Sequence, residues 1–102
     1  QMQYFFKDSL IIFKNEIIIT AGYNNAYGGA QSSIYSSADG KTWYEKTSSP
    51  EWQARYYSQV INHNGVLYLI AGLSQNNEPL NDVWYSTDAA SWTQENVSAL
   101  SP

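Results

Sequence analysis

Cysteine is absent from this chain, and histidine occurs once. The first absence removes disulfides, thiolate metal sites and a Cys nucleophile. The second leaves His63 without the partners a zinc site needs. Positive charge is scarce as well: five Lys and Arg stand against nine Asp and Glu, a formal net charge of −4. No basic cluster exists, so the footprint of a phosphate-backbone binder is missing and nucleic acid is not an expected partner. No apolar run approaches the ~20 residues of a membrane span. The longest are Leu10 to Phe13, Ile17 to Ile19 and Val66 to Ile70, so a membrane is not an expected partner either. No secretory signal pattern is present, and the chain starts at Gln1, as a trimmed, processed or excised segment would.

What is present favours strands and turns. Nine Tyr, four Trp and three Phe stand out, and the polar residues are mostly Asn, Gln, Ser and Thr rather than charged. Strands favour aromatic and β-branched residues, and turns favour Asn, Ser and Gly. The low charge and the Asn, Ser and Tyr content lead us to expect an extracytoplasmic protein. Asn96-Val97-Ser98 is a glycosylation sequon, relevant only in a eukaryotic secretory route.

The chain contains itself twice. Ile17-Ile18-Ile19-Thr20-Ala21-Gly22 lies fifty residues before Leu67-Tyr68-Leu69-Ile70-Ala71-Gly72. Ile34 to Trp43 lies forty-nine residues before Val83 to Trp92. The one-residue slip falls after the Ala-Gly pair, where a loop tolerates it. Each copy predicts four short strands: about 4–13, 16–21, 33–37 and 42–46 in the first, and 56–62, 66–71, 82–87 and 91–95 in the second. The second strand of each copy is a continuous apolar run, the pattern of a strand buried on both faces. Lys14-Asn15 and Asn64-Gly65 are expected as tight turns, and so is Asp39-Gly40. Asp88-Ala89 replaces Asp-Gly in the second copy and should make a less comfortable turn.

The run from Gln53-Ala54-Arg55 through Ile70-Ala71-Gly72, followed by Asn81-Asp82-Val83-Trp84-Tyr85 and Trp92, resembles a Kelch repeat. A period near fifty is that of the Kelch propeller. The resemblance spans nearly the whole chain. It implies an all-β fold of two four-stranded antiparallel blades, 1–50 and 51–102, forming part of a Kelch-type β-propeller like that of the galactose oxidase central domain. The chain departs from the family pattern at three places. Both Gly-Gly pairs are Ala-Gly, Ser36 stands where the first copy should have Tyr, and Phe5 stands where it should have Arg. The second residue of each Ala-Gly pair is expected to need a left-handed backbone, while Ala holds the first if that residue is extended.

Propellers take 4–8 blades around a channel. Two blades leave two apolar flanks, which do not persist on a lone molecule. The expected partners are therefore further blades, supplied by identical copies in a ring, as in a trimer with six blades, or by the rest of a longer chain. A trimmed piece that dimerises in some other manner is the third option.

The resemblance places candidate ligand contacts on the loops 23–32 and 73–80 and on the inter-blade segment 47–55. They are Tyr23, Asn24, Tyr27, Trp52, Arg55, Asn76 and Asn77. Flat rings and amides suit sugars and peptides. Asn and Gly are equally ordinary turn residues, and Trp52 could simply pack between blades. Arg55 matches the position that lines the central pocket of peptide-binding Kelch proteins, where its fork would hold a carboxylate. The alternative is a structural Arg tied to a carboxylate or to carbonyls. Ser37-Ala38-Asp39-Gly40-Lys41-Thr42-Trp43 resembles the Asp-box of sialidases, one residue short between Asp and Gly, and a turn role accounts for Asp39.

No phosphate loop, nucleophile elbow or zinc motif is present. A copper oxidase of the galactose-oxidase kind needs Cys cross-linked to Tyr and several His, which this chain lacks. The expectation is a non-catalytic scaffold or recognition module for a protein, peptide or glycan, with no cofactor and no metal. A purely structural self-assembling propeller fragment, or the non-catalytic portion of a larger secreted enzyme, are the alternatives.

Overall fold

A computed structural model describes residues 9–20, 22–24, 29–30, 32–47 and 50–95. The protein is all-β, built from two four-stranded antiparallel sheets. Sheet one runs in the order β1 (Ser9–Phe13), β2 (Glu16–Thr20), β5 (Ile34–Ser37), β6 (Tyr44–Thr47). Sheet two runs β7 (Gln59–His63), β8 (Val66–Leu73), β9 (Pro79–Ser86), β10 (Thr93–Gln94). A two-stranded ribbon, β3 (Tyr23–Asn24) with β4 (Gly29–Ala30), interrupts the connection from β2 to β5. Among the described residues no helix is long and apolar enough to cross a membrane.

The turns adopt the geometry their residues favour. Lys14 and Asn15 have φ of 50° and 65°, and Asn64 and Gly65 have 53° and 79°. Two consecutive positive φ values give the tight hairpin whose twist matches that of its strands. The segment expected as the loop 73–80 is strand at both ends, with Leu73 closing β8 and Pro79 and Leu80 opening β9. β8 and β9 each run for eight residues, and the ladder resumes after a bulge between Ile70 and Gly72. Only Ser74 to Glu78 remain as a tip. Ser74 closes it: its hydroxyl accepts from the amides of Asn76 and Glu78, and its own amide donates to the Glu78 carbonyl.

The bulge corrects one expectation. Ala71 is not extended but left-handed, with φ of 59°, and Gly72 follows at 110°. A Cβ on Gly72 would lie 2.9 Å from the Tyr56 carbonyl oxygen, so no other residue fits there. Ala71 tolerates its conformation because the turn aims its carbonyl at two donors, the Arg55 guanidinium and the Ser58 hydroxyl, each at 3.0 Å. The left-handed region costs an L-residue about 1–2 kcal/mol, part of which glycine's greater unfolded-state freedom cancels. Ala71→Gly should therefore raise stability by about 0.5–1 kcal/mol, seen as a higher urea midpoint at unchanged slope. A lower midpoint would contradict this account of the bulge.

The core lies between the sheets. Phe13, Ile18 and Ile34 of sheet one, with Ile11 beside them, join Val60, Leu67 and Leu69 of sheet two. Trp52, Ala89 and Trp92 complete the cluster. β1 packs beside β7, and the Asn62 side-chain amide donates to the Ile12 carbonyl at 3.3 Å. At the turn end, Lys14 Nζ donates to the Thr87 carbonyl at 2.7 Å.

The outer turns are two copies of one device. Ser37 Oγ accepts from the amides of Asp39 and Gly40, while Asp39 Oδ1 accepts from those of Lys41 and Thr42. Ser86 and Asp88 repeat this with the amides of Asp88, Ala89, Ala90 and Ser91. The backbone amides, foremost that of Thr42 for Asp39 and that of Ser91 for Asp88, hold both carboxyls below the usual range. The less favourable turn residue is visible too: Ala89 sits at φ 68°, where its counterpart Gly40 sits at 80°. Ala89 is fully buried in the core, so its methyl offsets the backbone cost that Gly40 avoids.

Candidate functional site

Three segments meet at the end of the sheets opposite these turns. The first is the β2–β5 connection with its ribbon. The second is the stretch from Pro50 to Ser58 that leads into β7. The third is the Ser74 to Glu78 tip. The amide of Gly22 donates to the Arg55 carbonyl at 2.9 Å. Tyr56 and Leu73 exchange reciprocal backbone bonds of 3.0 and 2.8 Å. The Gln75 side chain crosses between the sheets to accept from the Ala30 amide and packs against Gly29. The pieces lie far apart in sequence, and backbone bonds together with one glutamine amide bring them to a single end.

Arg55 sits beneath this end and is fully buried. Its fork grips Asp82 bidentately, Nη1 to Oδ1 at 2.7 Å and Nη2 to Oδ2 at 2.9 Å. Nη1 also donates to the Ala71 carbonyl, and Nε donates to the Gln53 carbonyl at 3.1 Å. The guanidinium lies 5.6 Å from the Trp52 ring centre. The Trp84 indole donates to the other side of the pair, reaching Asp82 Oδ2 at 2.7 Å. Burial raises the Asp82 carboxyl, but the Arg55 and Trp84 hydrogen bonds and the Arg55 charge overcome it, and the net direction is down.

The sequence-derived candidates therefore separate. Asn76 and Asn77 are exposed on the tip, Asn77 in a left-handed turn position with φ of 63°. Trp52 and Arg55 are buried and face inward, so in this structure they support the loop end from below. Trp52 acts by packing, since its indole N–H has no hydrogen-bond partner among the described residues. Tyr23 and Asn24 lie on the ribbon strand β3, paired through Ala30 and Gly29. Tyr27 lies outside the described residues, and so does the Asn96 sequon.

Asp82, Trp84 and Gln75 were missed in the sequence. For the first two a signal existed: Asp82-Val83-Trp84 on a strand puts acid and indole on one face, within reach of an arginine opening the same copy. Nothing in the sequence marks Gln75. The first copy has Phe5, Ser33 and Tyr35 at the positions of Arg55, Asp82 and Trp84, so the network is built from residues only the second copy carries. His63 is exposed beside Asn64. Among the described residues no group of three or more His, Cys, Asp or Glu could hold a metal ion. No known protein family and no curated protein sequence matches the chain.

Proposed function

We propose that this chain forms two consecutive blades of a Kelch-type β-propeller and acts as a non-catalytic recognition module for a protein, peptide or glycan. The observation that carries the reading is the convergence of the ribbon, the segment before β7 and the β8–β9 tip at one end of both sheets. Loops gathered on a rigid β scaffold are the usual place for a binding surface. Several further features support the blade reading. The two sheets come from a repeat of about fifty residues, their first strands lie side by side, and the glycine of each Ala-Gly pair has φ above 100°.

The exposed side chains here include Gln53, Tyr57, Asn76 and Asn77, a phenol and three amides, beside the carboxylates of Glu51 and Glu78. Such a set suits hydroxyls or peptide backbone better than a phosphate or a strong acid. The acids that recur in the repeat, Asp39 and Asp88, are occupied by turn amides, and Asp82 by Arg55, which favours recognition over acid–base chemistry. An extracytoplasmic setting belongs to the same proposal and rests on the low charge and the Asn, Ser and Tyr content.

A glycan array and an immobilised peptide library should be probed with the wild type and with Asn76→Ala/Asn77→Gly. Glycine keeps the left-handed position at 77, so the fold should stay intact. A ligand of this face should lose about tenfold or more in affinity, roughly 1.4 kcal/mol, at unchanged melting temperature. Binding that ignores the double substitution, or no binding to either library, would overturn the recognition reading.

A further inference from the structure

The two sheets meet through faces that the repeat does not make equivalent. Successive strand residues point to opposite faces of a sheet. Sheet one covers its Ile11, Ile18 and Ile34 face against sheet two. The repeat maps these positions onto Ile61, Tyr68 and Val83. Those lie on the far face of sheet two, because its covered face carries Val60, Leu67 and Leu69. That covered face maps back onto Leu10, Ile17 and Ile19, which lie on the far face of sheet one.

The molecule thus has one completed joint and two half-joints. Each open face is the repeat counterpart of a face that is covered inside the molecule. Both are apolar and open along β1 and β7: Leu10 and Ile12 are 62% and 58% exposed on one and Ile61 is 45% exposed on the other, while Ile19 and Val83 on the same faces are already buried within the molecule. Tyr68 and Tyr85 pair across β8 and β9 on the Ile61 face, with ring centres 6.3 Å apart.

We propose that the open faces are occupied by a second copy of this chain, the Leu10–Ile12 face of one copy seated on the Ile61–Tyr68 face of the next. The contact is head to tail and reproduces the internal joint. A copy that joins at one face still presents the other, so association continues until the rotation closes a ring. Each copy adds two sheets, and a propeller holds 4–8 of them. Three or four copies, giving six or eight sheets, are the expected assemblies. The contact rests on sheet packing and the ring size on the blade reading proposed above, and neither depends on a ligand.

Native mass at micromolar protein should give a single species of three or four copies. Ile12→Glu and Ile61→Glu each place a charge at an exposed position and leave the core intact, so circular dichroism should match the wild type. Each variant alone should be a monomer. An equimolar mixture of the two should give a heterodimer, since it retains one unblocked pair of faces. A monodisperse wild-type monomer overturns the proposal. So does either variant dimerising alone, or a mixture that stays monomeric.

Discussion

Replacing Arg55 with methionine should destabilise the protein by about 3–5 kcal/mol, the usual consequence of removing one member of a buried ion pair. Methionine fills similar space, so the loss comes from what it strands. Asp82 loses both guanidinium bonds and keeps the Trp84 indole, and the Ala71 and Gln53 carbonyls lose the guanidinium N–H groups. Arg55→Lys should recover little, because an ammonium cannot present the planar fork that serves both carboxylate oxygens and two carbonyls together. Arg55→Met/Asp82→Leu should be clearly more stable than Arg55→Met alone, because the unpaired charge is then gone. Urea midpoints of the four proteins test this, and a double variant no better than the single would remove Asp82 from the explanation. The pair also sets an acid limit. Asp82 titrates below its ordinary 3.8 in the folded protein, so its contribution is full above that value and is lost as pH falls through the lowered one. Arg55→Met should therefore flatten the fall in stability on the acid side of pH 3.8, while Asp39 and Asp88, held down by their turn amides, keep part of it.

The hairpin turns and the continuous apolar strands were legible in the sequence because they depend on local chemistry. Asn64-Gly65 is comfortable at positive φ whatever surrounds it, and the β-branched run Ile17-Ile18-Ile19 favours a strand. The Ser and Asp turns were legible for the same reason, since all their bonds span three residues or fewer. The bulge was not. Ala71 turns left-handed because Arg55 and Ser58 reach its carbonyl from 16 and 13 residues away, a tertiary pull that outweighs its preference. The strand extension to Leu73 and Pro79 was hidden by the same bulge, which interrupts the pattern and then restores the ladder. At the candidate site the loops themselves were legible from composition. Which side chains face outward was not, since burial of Arg55 and Trp52 depends on Asp82 and Trp92, well away in sequence.

The aromatic anchors follow the same division between local pattern and tertiary context, and they carry the other large effect. Trp43 and Trp92 occupy matching places in the repeat, and the sequence alone assigns them equal importance. The structure does not. Trp92 is 4% exposed, and its ring meets Trp52 edge-on at 5.9 Å. Its indole N–H donates to the Ala89 carbonyl, and its amide donates to Glu51. Trp43 is only half-buried, and Gly40 stands where Trp92 has the methyl of Ala89. Trp92→Ala removes packing against Trp52 and leaves a cavity at the edge of the shared core, an expected loss of about 3–5 kcal/mol. Trp43→Ala removes less contact area and opens towards solvent, so water fills the gap and about half that loss is expected. The difference should appear as a much lower melting temperature for Trp92→Ala, with unfolding of sheet two drawing sheet one with it through the common core. Equal losses at the two positions would mean that the outer strands are anchored sheet by sheet, and that the Trp52–Trp92 contact adds nothing.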